Sequence, residues 1–70
     1  MKSNKLSPRE VEVMHLLLRG YSNPKISKEL YISEHTTKAH ISSIYEKLKV
    51  KNRVQAIVKY LQENGISCLR

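Results

Sequence analysis

Thr37, Ile41, Ile44 and Leu48 fall at i, i+4, i+7 and i+11, the spacing of a single helical face. That stripe predicts a helix over 34–49, with Ser33 as its N-cap and Glu34 at the positive end of its dipole. The opposite face carries His35, Lys38, Ala39, Ser42, Glu46 and Lys49. It is polar, mostly short-chained in its N-terminal half, and free of bulky apolar residues. Such a helix lies on its neighbours with one side and offers the other to a partner.

Three more helical segments are marked by their ends. Ser7-Pro8-Arg9-Glu10 is a capping box, with proline placed where its missing N–H costs nothing. It opens a helix over 8–19 that runs through Val11, Met14, Leu17 and Leu18, with Gly20 as its stop. Leu6 and Val11 stand where a hydrophobic staple would clamp the entry. Ser22 caps a short helix over 23–30, with Pro24 in its first turn and Ile26 and Leu30 inward; Tyr31-Ile32 makes a tight connection. Asn52 caps a helix over 53–64 whose apolar side is Val54, Ile57, Val58 and Leu61, with Gly65 as its stop. Nothing alternates with period two, so the fold class is all-α: a four-helix bundle containing a helix-turn-helix. Residues 1–5 read as a basic flexible arm, 6–65 as the domain, and 66–70 as a tail.

Size narrows the use of this body. A chain of 70 residues buries only about 60% of its unfolded surface, which leaves little room for an enclosed catalytic pocket. No acid–base pair, nucleophile elbow or phosphate loop is present, so an enzyme is the least supported reading. His15, His35, His40 and Cys68 do not form a metal set: only His35 and His40 are near in sequence, and five residues apart they face different ways. No metal, cofactor or small-molecule ligand is expected. The single cysteine, Cys68, excludes an internal disulfide and suits a reducing compartment. No run approaches the roughly 18 apolar residues of a membrane span, and no wide apolar helix face suits a membrane surface. The expected location is cytoplasmic and nucleoid-associated.

Charge then points to a partner. Thirteen Lys and Arg against six Asp and Glu leave a formal +7, which favours polyanions. Lys47, Lys49, Lys51 and Arg53 put four cations into seven residues with no acid among them, and Lys25 and Lys28 mark the second helix. Two helices joined by a short turn, the second with a polar outer face, follow the helix-turn-helix plan, in which the second helix enters the major groove. The flanking cations stand where two phosphate strands would pass; such contacts fix register but carry no base information. Base reading would fall to Lys38 (guanine O6 and N7), Ala39 (thymine methyl), Ser42 (several bases) and His35. His40 lies beside the apolar stripe, where packing at the helix flank is favoured over a base contact and a phosphate contact fits both.

Taken together, Leu6-Ser-Pro-Arg-Glu-Val-Glu-Val, Gly20, Ile32-Ser-Glu-His-Thr-Thr-Lys-Ala-His-Ile and Lys47-Leu-Lys-Val-Lys-Asn-Arg-Val-Gln-Ala resemble the LuxR/GerE-type DNA-binding domain, without gaps from about Leu6 to Gly65. The resemblance implies a four-helix regulator of bacterial transcription, usually a dimer on two half-sites of double-stranded DNA. It implies groove-facing roles for Lys38, Ala39 and Ser42, and backbone contacts around Ser33, Thr36, Lys47, Lys51 and Arg53, to which His40 and Lys25 are added by position. It further implies a homodimer contact through Val54, Ile57, Val58 and Leu61, of which Val58 and Leu61 are expected to close the core. The family commonly has Ala at Ser27, Val at Thr37, Gly at Lys49 and Lys at Pro24. Thr37 therefore brings a hydroxyl in need of a partner, for which a carbonyl one turn earlier serves, and Lys49 gives up the easy left-handed stop.

Family members usually join this domain to a receiver or sensing domain. The chain is then either an excised effector domain or a stand-alone regulator of the GerE type, towards which Met1 ahead of a basic arm leans. RNA polymerase is a further candidate partner. The competing reading is a helical interaction module that binds an acidic protein through the Lys38 face.

Overall fold

The computed structural model describes residues 6–63. The predicted arm 1–5, the tail 66–70, Cys68, and the end of the last helix at Asn64 and Gly65 lie outside the described residues. The elements are α1 (Pro8–Leu18), α2 (Asn23–Leu30), α3 (Glu34–Leu48) and α4 (Arg53–Glu63), with no strand among the described residues. The longest helix, α3, packs against each of the other three.

Local chemistry explains where the helices begin. Ser7 Oγ accepts from the Glu10 backbone N–H at 3.2 Å while the Ser7 N–H donates to Glu10 Oε1 at 2.8 Å, closing the capping box. Ser22 and Ser33 cap α2 and α3 through the N–H groups of Lys25 and Thr36. Asn52 Oδ1 accepts from Gln55 N–H at 2.9 Å at the start of α4.

The ends of α1, α2 and α3 share one device. After α1, Gly20 (φ 86°) donates to the Leu17 carbonyl and Tyr21 to that of Leu16, the paired closure that satisfies orphan carbonyls. The same pair closes α2 through Tyr31 (φ 58°) and Ile32, and α3 through Lys49 (φ 60°) and Val50. Neither has a glycine. A left-handed L-residue costs roughly 1–2 kcal/mol, which the two carbonyl bonds offset; after α3 the seating of Val50 against the core adds to them. Arg19 and Lys49 are thus cap residues, and the helices predicted to reach them end one residue sooner.

The core consists of Val13, Met14, Leu16 and Leu17 of α1, Ile26 of α2, Ile41, Ile44 and Leu48 of α3, and Ala56 of α4. On α1 the buried side is centred on Met14 and Leu17 as the spacing predicts, but Val11 and Leu18 are only half-buried at its margins. Thr37 is fully buried with the α3 stripe. Its Oγ1 lies 3.2 Å from the Ser33 carbonyl, the carbonyl one turn earlier, and 2.7 Å from Ser27 Oγ, itself 2.9 Å from the Asn23 carbonyl; with one hydrogen each, one hydroxyl donates across the pair and the other to the carbonyl of its own helix. Ser27 and Thr37, the positions where the resemblance implies Ala and Val, thus share a buried hydrogen bond. Replacing both partners of such a bond by apolar groups of like shape is nearly neutral, whereas removing one strands the other. Ser27→Ala and Thr37→Val should each cost about 1 kcal/mol and the double variant less than their sum. Simple additivity in denaturant titrations would show the two hydroxyls to be independent.

On α4 the structure corrects the sequence reading. Val58 was expected in the core with Leu61, yet Val58 is 44% exposed, Val54 is 70% exposed and Leu61 is half-buried. The fully buried residue is Ala56, with Ile57 and Tyr60 packed beside it. Tyr60 fixes this rotation by meeting His15 of α1, edge to face, with its OH 3.2 Å from Nε2. The small Ala56 side chain lets α4 approach closely, and the valine stripe is turned outwards.

Candidate nucleic-acid interface

The face of α3 is set by what the helix buries. Thr37, Ile41, Ile44 and Leu48 point inwards, so His35, Lys38, Ala39, Ser42, Glu46 and Lys49 are all exposed on the other side. The four predicted base-reading residues thus share one open face within two turns of the helix start. A helix advances 1.5 Å per residue, so His35 to Ser42 spans roughly 10 Å along the axis. None of the lysines at 25, 28, 38, 49 and 51 forms an ion pair among the described residues. All five are exposed.

At the start of α3, Ser33 Oγ accepts from Thr36 N–H and donates to Thr36 Oγ1 at 2.9 Å. Accepting that bond leaves the Thr36 hydroxyl its own hydrogen to give to an outside acceptor. His40 is half-buried on the flank of α3. Lys25 Nζ lies 5.2 Å from the centre of the Tyr21 ring, a cation–π distance. Its ammonium remains exposed at the other end of the helix-turn-helix. Lys51 is exposed, with its backbone N–H held by Gln55 Oε1.

Two of the expected backbone contacts are engaged within the chain itself. Arg53 donates to the Tyr21 carbonyl at 2.8 Å and to Asn23 Oδ1 at 3.1 Å, tying the start of α4 to the link between α1 and α2. Lys47 Nζ donates to Glu10 Oε1 at 2.7 Å, and its side chain is only 33% exposed. Their positive charge still contributes to the surrounding field, but neither group is a loose cation.

The residue that sequence reasoning missed is Glu10. Besides closing the capping box, it receives Lys47 through Oε1 and Ser43 Oγ through Oε2 at 2.6 Å, although the residue is 5% exposed. Burial alone would raise its pKa; the bonds from Lys47, Ser43 and the Ser7 backbone, with the Lys47 charge, outweigh that and hold it at about 2. A signal was present. A capping-box glutamate uses one oxygen, and Ser43 and Lys47 sit one turn apart on a single flank of α3.

Among the described residues no three His, Cys, Asp or Glu side chains group to hold a metal ion. No helix there is long and apolar enough to cross a membrane.

The profile of bacterial regulatory proteins of the luxR family matches residues 4–60. This chain belongs to that family. Its helices and its sequence agree with the same group: the solved structure of the transcription factor GerE superposes with a TM-score of 0.77 and 45% identity, over 93% of this chain and 94% of that one. The response regulator ChrA of a haem-sensing two-component system superposes with a TM-score of 0.86 and 41% identity, over 91% of this chain and 32% of that one. Among curated relatives, the transcriptional regulatory protein DegU of Brevibacillus brevis is 44% identical over 61 residues, 87% of this chain. The nitrate/nitrite response regulator NarP of Escherichia coli K12 is 45% identical over 60 residues, 86% of this chain. The chain spans 26% and 28% of the lengths of those two proteins. It is a LuxR-type helix-turn-helix domain of the DNA-binding regulator class, a family of transcription regulators and not of enzymes.

Proposed function

We propose that this domain binds double-stranded DNA sequence-specifically in transcription control, with the first two turns of α3 in the major groove and a second copy paired through α4. One observation carries the reading: Lys38, Ala39 and Ser42 stand exposed directly opposite a stripe buried against the other helices. A major groove about 12 Å wide accepts a helix with its side chains. In that pose Lys38 donates to guanine O6 and N7, Ala39 meets a thymine methyl, and Ser42 and His35 bond to neighbouring edges.

Ser33, Thr36, Lys25 and Lys51 would hold the flanking phosphates, with His40 at the margin. Lys51→Ala is expected to flatten the slope of log affinity against log salt by about 0.9 on every duplex, with stability changed by less than about 0.5 kcal/mol. An unchanged slope removes Lys51 from the phosphate set. Arg53, held at both ends of its guanidinium, should instead affect folding first.

For the pairing surface, Val50, Val54 and Val58 line a shallow groove of about 310 Å³ with Gln55, Lys59 and Gln62 at its sides. Two exposed valines four residues apart on one helix are what a self-complementary contact needs. Of the four residues first assigned to it, Val54 and Val58 fit this role, Leu61 is half-buried and does not line the groove, and Ile57 packs into its own core.

Selection of bound duplexes from a random pool at physiological salt tests the reading. Recovery of an inverted repeat with half-sites about ten base pairs apart is the expected outcome. Equal retention of every sequence would overturn it.

A further inference from the structure

We infer that Glu10 of α1 is a positioning residue for base reading: it fixes the rotation of α3 by gripping Ser43 and Lys47, and it withholds the Lys47 ammonium from phosphate. The inference rests on the proposed DNA-binding role of α3. Its basis is a contrast in how α3 is held. On the core side the contacts of Ile41, Ile44 and Leu48 are apolar, and apolar burial is non-directional. It decides which face of α3 turns inwards, and near the helix start the contact of Thr37 with Ser27 adds one polar tie; towards the C-terminal half the fine rotation is left to directional contacts. On the flank, Ser43 Oγ and Lys47 Nζ meet the two oxygens of one carboxylate at 2.6 and 2.7 Å. Charge-assisted bonds of this length are directional.

The carboxylate is itself immobile. It is 5% exposed, and its Oε1 also accepts the Ser7 backbone N–H. Ser43 follows Ser42 in sequence, so the two side chains are about 100° apart around the helix. Pinning Ser43 therefore aims Ser42, and with it Lys38 and Ala39. Base-edge contacts tolerate displacements of only about 0.5 Å or 10–20°, so a helix free to roll would keep its charge and lose its discrimination. The Lys47 ammonium, meanwhile, is spent on Glu10.

The full 70-residue chain can be compared as wild type, Glu10→Gln and Ser43→Ala. Each is titrated with the duplex recovered by selection and with a scrambled duplex of equal length. Measurements are made at a temperature where circular dichroism shows all three folded. Glu10→Gln keeps an acceptor at the site but removes its charge, taking the formal net charge from +7 to +8. It should lower the ratio of selected to scrambled affinity about tenfold, the worth of one base contact. It should also steepen the salt slope by about 0.9 as Lys47 finds a phosphate. Ser43→Ala should lower the ratio without changing the slope. A role confined to folding predicts lower melting temperatures with both ratios equal to wild type. That result overturns the inference, and so does a steeper slope with the ratio unchanged. Should Glu10→Gln fail to fold, Ser43→Ala decides by the same ratio. If the wild type itself shows no preference between the duplexes, the DNA-reading role fails and not merely this one.

Discussion

Glu10→Ala is expected to lower the unfolding free energy by about 3 kcal/mol, a large share of the stability of a domain this size. Breaking a buried ion pair costs roughly 3–5 kcal/mol because the remaining charge is stranded. Lys47 is one-third exposed and can turn towards water, which places this case at the lower end. The loss also opens the capping box at Ser7 and leaves the Ser43 hydroxyl without its acceptor. The pH dependence gives a second route to the same figure. The folded-state pKa of Glu10 is depressed from 4.5 to about 2, so its contribution is present above the unfolded value and is lost as pH falls through the folded one. A depression of that size corresponds to about 3 kcal/mol, removed between about pH 4.5 and pH 2. Denaturant unfolding at several pH values should show this decline in the wild type and a much flatter profile in Glu10→Ala. Equal acid sensitivity in both would mean that the ion pair adds nothing.

Lys38→Ala is expected to weaken binding to a selected duplex by about 1–3 kcal/mol and to relax the choice of base at one position. Lys38 is exposed on the outward face of α3 and forms no ion pair among the described residues, so its removal should leave the fold intact. The pattern of loss distinguishes base from phosphate. A base contact is lost only on the preferred sequence, whereas a phosphate contact is lost on all of them. Competition titrations against single-base variants would show one position becoming tolerant. A uniform loss on every duplex would reassign Lys38 to the backbone.

Much of this architecture was legible from short-range signals. The capping box at Ser7 and Glu10, the caps at Ser22, Ser33 and Asn52, and the stripe from Thr37 to Leu48 depend on residues three or four apart. Each is satisfied as its chemistry requires. The outward face of α3 followed because it is whatever the stripe leaves. What escaped depends on distance along the chain. The bonds from Ser43 and Lys47 to Glu10 join residues 33 and 37 apart, and those of Arg53 span 32 and 30. Periodicity does not encode such pairings, so Lys47 and Arg53 read as loose cations.

The rotation of α4 escaped for a different reason. Val54, Ile57, Val58 and Leu61 form a stronger apolar stripe than Ala56, Ile57 and Tyr60, and hydrophobicity alone favours burying it. Close approach favours the small Ala56 instead, and the contact between Tyr60 and His15 locks that choice. Leaving Val54 and Val58 of that stripe in water forfeits the free energy of burying them unless something covers them, which is the physical reason for proposing a second copy at that face.

The central claim concerns which atoms meet the bases, and intermolecular nuclear Overhauser contacts in the complex with a selected duplex address it most directly. The Ala39 methyl and the Lys38 and Ser42 side chains should show contacts to major-groove protons such as thymine methyls and cytosine H5. Contacts from those three residues to no base proton, with the bases met instead by α1, α2 or α4, would contradict the account.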